Sequence, residues 1–418
     1  MIYRAPFLVW WGLSLFLCKL ESLRQLDYAL RDEEREVLDN MNALAQTAQE
    51  TLPVYKTLSH YLGHLGQAAL ADLIARMIRA LVRKKVLDRY RLQGALVIAV
   101  DGTGHLSFAR RHCEHCLTQK HRGRTVFLHK VLDAKLVTSN GLALSLAGEF
   151  IDNRDHAGGE RVSAKKRKQD VELKAFRRLA PQIARVFPQT RLCLAGDALY
   201  ACGPVITLCR KNKWHYVFTF KRGRLPALWN EFQSLLPLCP ENVQRVVLPD
   251  GTHQELRWVN DLAFTDTEGT EHVVNALQCV ETKGDDAKTF AWITDFRLTP
   301  GNVIAIAQQG GRNRWKIENG GFNVQKNGGY NLEHVYGSGE ELLKCFYTLL
   351  QIAHLILQLV EKGSLLRRAA RSYGRSVLAV YGSVHNIARR FLDCLRYRHI
   401  PPDALAPGQR TQIRLDPG

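Results

Sequence analysis

Two short apolar runs, ALVIAVD (residues 95–101) and RLCLAGD (191–197), constrain this chain more than anything else in it. Each is too short for a helix, and the first is rich in β-branched residues, so both read as central strands buried on both faces. Each also ends on a carboxylate. Burying a charge is costly unless it is paired or binds a metal, so a strand-end aspartate needs a reason. Taken singly, Asp101 and Asp197 suit N-caps or turns, and the DGTG that begins at Asp101 is turn-like. Joined by a third carboxylate, the two can meet at one point and hold two divalent cations of the hard, oxygen-seeking kind.

The neighbouring sequence predicts an α/β pattern. TVFLHKVLDAKLV (125–137) and LALSLAGEFI (142–151) read as two more strands, and Asn140-Gly141 between them is the dipeptide of a tight antiparallel hairpin. A charged loop from Asp152 to about Asp170, with KKRK at 165–168, leads into a helix near 171–186. Beyond Asp197 follow a helix near 203–213, the strand WHYVFTF (214–220) and a helix near 225–236. The order is three strands, helix, strand, helix, strand. Residues 1–93 read as a helical region: Leu70, Leu73, Ile74, Met77, Ile78 and Leu81 share a helix face, flanked by Arg76, Arg79, Arg83, Lys84 and Lys85. Both a helix-turn-helix DNA reader and a plain helical subdomain fit there. The expected boundaries are 1–93, a core in two parts (94–238 and 297–365), a β-rich stretch between them (239–296, with a hairpin turn at Asp250-Gly251), and a basic helical end with a polar tail (366–418).

Charge narrows the partner. Lysine and arginine number 58 against 40 acids, a net charge of +18, which points first to nucleic acid and second to an anionic membrane surface. APFLVWWGLSLFLC (5–18) is expected to be a buried helix rather than a targeting segment, and its apolar character so near residue 1 hints at a preceding piece. In the apolar run 345–360, Thr348, Gln351, His354 and Gln358 draw one polar stripe, so it too reads as a buried helix, and no membrane span is expected. The ten cysteines lack a disulfide framework, which fits a reducing cytosol.

The third carboxylate lies in RNRWKIENGG (312–321), where Glu318 stands among Arg312, Arg314 and Lys316. With it, the chain resembles the DDE transposases of bacterial insertion sequences, in the group marked by a Tyr-x2-Arg-x3-Glu-x6-Lys signature. Asp101 in VIAVDGTG looks like the first aspartate of that family, Asp197 in LAGDALYA like the second, and Arg314, four residues before Glu318, matches the Arg-x3-Glu core. Gly311 stands in place of the tyrosine; the lysine position falls on Gln325, with Lys326 one residue later, and Gly320-Gly321 is where one extra residue would be absorbed.

The resemblance covers roughly residues 95–345. It implies an RNase H-like α/β fold, a mixed sheet with flanking helices, a β-rich insertion before the last catalytic helix and a helical N-terminal region. It further implies Asp101, Asp197 and Glu318 as catalytic ligands of Mg2+ (or Mn2+), with Arg314 and Lys326 on the DNA backbone. Trp315 is either a base-stacking platform or part of the core. The implied activity is metal-dependent cleavage and strand transfer at element ends by a nucleoid-associated, cytoplasmic homodimer acting on double-stranded terminal repeats and target DNA. Alternatives are a nuclease of the same fold that does not join strands and an inactive DNA-binding derivative.

RHCEHCLTQKH (111–121) stands apart. Cys113 and Cys116 have zinc-knuckle spacing, with His112, His115 and His121 nearby and His121 as the candidate third ligand for a structural Zn2+; a second CxxC is missing. The plainer reading is a basic loop, with Arg110, Arg111, Lys120, Arg122 and Arg124, lying on phosphates. Among the other acids, Asp152, Asp155, Asp170 and Asp250 are explained by turns or solvation, and Asp295, which closes the strand TFAWITD, is the rival metal ligand. Neither a nucleophilic triad nor a phosphate-binding glycine loop is recognisable.

Overall fold

Among the described residues ten strands pair into one mixed sheet, and the two aspartate-bearing runs are neighbours in it. In this computed structural model the strands are β1 (Leu96–Phe108), β2 (Leu117–His121), β3 (Arg124–Val137), β4 (Ala143–Ile151), β5 (Leu192–Gly196), β6 (His215–Thr219), β7 (Val243–Val247), β8 (His253–Thr265), β9 (Glu271–Lys283) and β10 (Asp286–Thr294). Their order is β2-β3-β1-β5-β6-β10-β9-β8-β7, with β4 also paired to β3. β1, β5 and β6 run parallel, as buried apolar strands joined by helical crossovers should. β10 joins β6 antiparallel, and β9, β8 and β7 continue from it, so the β-rich stretch extends this sheet. β3 and β4 form the antiparallel hairpin that Asn140-Gly141 predicts.

The structure describes all residues except 1, 32, 112, 114, 122, 152, 154–170, 338, 402–414 and 416–418, with backbone alone at 121, 365 and 378. The KKRK run, Asp152, Asp155, Asp170, His112 and Arg122 therefore lie outside the described residues. The helices are α1 (Ala5–Leu17), α2 (Leu23–Arg31), α3 (Glu34–Ala45), α4 (Tyr55–Leu65), α5 (Gln67–Arg83), α6 (Glu172–Val186), α7 (Gly203–Lys211), α8 (Pro226–Leu235), α9 (Val303–Ala305), α10 (Asn323–Asn327), α11 (Glu340–Glu361), α12 (Ser364–Ser372), α13 (Val377–Tyr381) and α14 (Val384–Tyr397). The chain packs as two units, one of Met1–Val86, Gly104–His129 and Gly321–Gly418, the other of Leu87–Thr103 and Lys130–Gly320.

The first unit is built on α1 and α11. Phe7, Leu8, Trp11, Leu15 and Phe16 of α1 are all buried, which suits a helix that is apolar all round. α11 is long and apolar enough to cross a membrane, but 83% of its apolar window is buried inside the protein. Its polar stripe turns inward rather than to solvent: Thr348, Gln351, His354 and Gln358 are all buried. Gln325 of α10 meets two of them, donating from Nε2 to Gln351 Oε1 at 2.7 Å and lying 2.9 Å from His354 Nδ1. Buried polar groups need such partners, so the stripe is a satisfied network inside the helical core.

In the second unit, α6 buries Phe176, Leu179, Ile183 and Val186 and packs on β4. The segment after β10 carries the Arg-x3-Glu residues and departs from regular α-helix: Ile306–Gly311 and Ile317–Phe322 are π-helical turns, with a 3₁₀ turn over Arg312–Trp315 between them. Such departures often mark functional segments. Gly311 is required by packing, because a Cβ there would lie 2.3 Å from Cε2 of the buried Trp292. The indole occupies the space that a tyrosine side chain would need.

Two expectations change. β1 does not stop at Asp101 but runs on to Phe108, with β3 as its neighbour on the side away from β5. The two glycines of DGTG lower strand propensity and read as a turn, yet a neighbouring strand overrides that preference. β2, in the charged stretch read as a loop, pairs with β3 from Leu117↔Leu128 to His121↔Arg124.

β3 also carries a buried ion pair, Lys135 Nζ to Asp133 Oδ2 at 2.7 Å, with side chains 0% and 1% exposed. Burial pushes the Lys135 amine below its usual pKa, and Asp133 opposes that shift. Asp133→Ala strands this charge and should cost about 3–5 kcal/mol in urea unfolding, whereas Asp133→Leu/Lys135→Met should cost far less. Equal losses in the two variants would contradict this account.

Candidate active site

The parallel register fixes the first two carboxylates. Leu96↔Leu192 through Ala99↔Ala195 are paired, and Asp101 and Asp197 each lie two residues beyond the last pair. Side chains alternate along strands, so equal offsets put both on the same face and at the same level. Each aspartate also accepts a bond from a nearby backbone amide, Asp101 within β1 and Asp197 in the turn that follows β5. Asp101 Oδ1 accepts from its neighbour's amide, Gly102 N, at 2.9 Å, and Asp197 Oδ1 accepts from Leu199 N at 2.8 Å.

Glu318 comes to the same place through Arg314. Arg314 Nη1 lies 3.1 Å from Asp101 Oδ2 and 2.7 Å from Glu318 Oε1, so one guanidinium nitrogen bridges a strand carboxylate and a helical one. Arg314 is thus paired with two carboxylates and not splayed toward a ligand. Burial is the main cause that raises the Asp101 pKa to about 7; Arg314 opposes the rise, while the Glu318 carboxyl adds to it by charge and by sharing a hydrogen bond.

A fourth carboxylate belongs here that the strand patterns did not reveal. Glu172, the first residue of α6, lies against the backbone beside Asp101, where a Cβ on Gly102 would sit 2.5 Å from Glu172 Oε1. Burial raises its pKa, Asp197 raises it further and Lys130 lowers it. Tyr200 completes the cluster: its hydroxyl is buried without a hydrogen-bond partner among the described residues. Burial, then the charges of Glu172, Asp101 and Asp197, push its pKa far up.

Carboxylate oxygens are the donors that suit a hard divalent cation. Asp101 and Glu318 meet across Arg314, and after burial a neighbouring carboxylate adds to the raised pKa of each of two groups, Glu318 for Asp101 and Asp197 for Glu172. The rival Asp295 is excluded by its bonds: Oδ2 lies 2.8 Å from His215 Nδ1, and Oδ1 accepts from Tyr216 N at 3.0 Å. Asp250 is a turn residue, accepting from Thr252 N at 3.1 Å and pairing with Lys283 at 2.9 Å.

A groove of about 640 Å³ opens beside the carboxylates, lined by Asp197 and Glu318, by Lys221, Arg222, Arg312 and Arg314, and by Trp229, Phe290, Trp292 and Trp315. Trp315 is 47% exposed, which decides against a core role. Its ring meets Phe290 edge-on with centroids 6.4 Å apart, and the Arg312 guanidinium covers both rings at 4.2 and 4.8 Å.

The remaining candidates lie in the other unit. Lys326 on α10 pairs with Glu333 at 2.7 Å, while Gln325, the residue at the signature's lysine position, is fully buried in the α11 network. Cys113 Sγ and Cys116 Sγ are 3.6 Å apart, and His129 Nε2 lies 3.5 and 3.4 Å from them. His121 is on β2 with its side chain outside the described residues; the imidazole found on both thiols belongs to His129, which the local CxxC spacing could not indicate.

A carboxyl whose folded pKa is raised favours the folded state fully below the unfolded value near ~4 and loses that contribution as pH rises toward 7. In metal-free buffer the melting temperature of Asp101→Asn should therefore gain on the parent between pH 5 and 8. Magnesium should raise the parent's melting temperature more at pH 8 than at pH 6, and leave Asp101→Asn unmoved. A parent response independent of pH would contradict the assignment of Asp101.

No protein-family model and no curated protein matches this chain.

Proposed function

We propose that this chain is a DNA transposase of the DDE type, cutting and joining DNA with Asp101, Asp197 and Glu318 as its metal-binding carboxylates. The observation that carries the reading is the parallel register that sets Asp101 level with Asp197, with Arg314 tying Asp101 to Glu318. The strand order β4-β3-β1-β5-β6, with the last three parallel, is what an RNase H-like core requires. The cationic, aromatic-lined groove and the net charge of +18 suit a polyanion with unpaired bases. A π turn takes one residue more than an α turn, the number by which the Glu318-to-Lys326 interval exceeds the signature.

In this reading Asp101, Asp197 and Glu318 would hold two magnesium ions, or manganese in their place, which would supply Lewis-acid charge for phosphodiester cleavage. The chain's own residues bind and orient. Arg314 is close enough to the carboxylates to neutralise a phosphate held there, and Arg312, Lys221 and Arg222 line the path of the backbone. Trp315 offers an exposed face for a base beside the cut. Glu172 lies against Gly102, next to Asp101, and adds a further carboxylate to the cluster.

The test uses DNA carrying the segments that flank this chain's gene, incubated with the protein and magnesium. Cleavage followed by joining is expected. Glu318→Gln should keep DNA binding and lose both steps by at least about 100-fold, beyond the ~10–100-fold that changing a group hydrogen-bonded to a metal ligand costs. Full activity in that variant would refute the reading; cleavage without joining would replace it with a nuclease, and binding without cleavage with a DNA-binding derivative.

A further inference from the structure

Sequence spacing places Cys113 and Cys116 in the turn that leads into β2, where Cys116 N lies 3.5 Å from Cys113 O. The pairing of β2 with β3 then supplies the third group. Leu117 is registered with Leu128, so the next step of the antiparallel ladder sets Cys116 opposite His129. The turn folds Cys113 back onto this pair, leaving one sulfur-to-sulfur separation of 3.6 Å and sulfur-to-nitrogen separations of 3.5 and 3.4 Å.

These are the edges of a tetrahedral zinc site. Zinc bonds of ~2.3 Å to sulfur and ~2.0–2.1 Å to nitrogen at tetrahedral angles place sulfurs ~3.8 Å apart and sulfur and nitrogen ~3.5–3.6 Å apart. The sulfurs are far beyond the ~2.05 Å of a disulfide, and both cysteines are free thiols. Cys116 is fully buried and Cys113 partly so, and the Phe108 ring meets the His129 imidazole edge-on at 6.2 Å, fixing its plane. Two thiols and an imidazole are soft to borderline donors, which select zinc over the hard cations suited to the carboxylate site.

We propose that Cys113, Cys116 and His129 bind one zinc ion, completed by a fourth donor from outside this trio, and that the ion pins the turn before β2 to β3. The inference stands independently of the proposed DNA chemistry, because its ligands lie in the other unit and its readout is metal content. Arg111 just before the two cysteines, Lys120 on β2 and Arg124 on β3 lie close to the proposed ion in sequence, so pinning would hold three cations on one short stretch of chain.

The test is elemental analysis of the full chain, purified under reducing conditions without chelator from zinc-supplemented medium. About one zinc per chain is expected. Cys113→Ser/Cys116→Ser should lose it, and Cys394→Ser, at an exposed cysteine on α14, should keep it. Circular dichroism separates metal loss from unfolding in the double variant. A second readout that does not depend on the variant's folding is the parent grown with cobalt(II), which should give thiolate-to-cobalt charge-transfer absorption. Zinc-free, folded parent protein, undiminished zinc in a folded double variant, or cobalt-loaded parent without that absorption would each overturn the proposal.

Discussion

The four-residue parallel pairing of β1 with β5 is the constraint on which the site depends. A one-residue slip would turn one aspartate to the opposite face of the sheet, since side chains alternate with a period of two. The register is held by the burial of Leu96–Val100 and Leu192–Ala195, apolar strands with no solvent-facing side to slide toward. The carboxylate geometry is thus a product of core packing several residues away. The same packing explains Gly311: Trp292 is buried against the helix backbone, and the departure from the signature's tyrosine follows from that indole.

Much of this was legible in the sequence, for identifiable reasons. Continuous β-branched runs, an Asn-Gly turn and helical periodicity are local signals, and they located β1, β3, β4, β5, β6 and the helices between them. β2 was not legible because LTQKH is polar on both faces and becomes a strand only through its partner. Glu172 carried no local signal either. It opens a helix, where an acid is ordinary, and only the tertiary approach to Gly102 brings it beside Asp101. His129 was hidden in the same way, since the antiparallel ladder and not sequence distance sets it against Cys116.

The inward-facing stripe on α11 shows a subtler limit. Periodicity revealed that Thr348, Gln351, His354 and Gln358 share a face, but a polar face can meet either water or a partner able to satisfy it. Gln325 is that partner, which also removes it from any role on DNA. A residue aligned by counting alone can therefore belong to the core, while its neighbour Lys326 takes the surface.

The bridge from Arg314 to Asp101 and Glu318 has a consequence for how the site comes into being. Small metal-dependent folds are disordered until their ion arrives, because nothing else balances the charges of their ligands. Here the chain carries its own counter-charge on the helix that delivers Glu318. The acidic cluster can assemble during folding on the chain's own charge balance, and any cation drawn to it would have to compete with a guanidinium already seated.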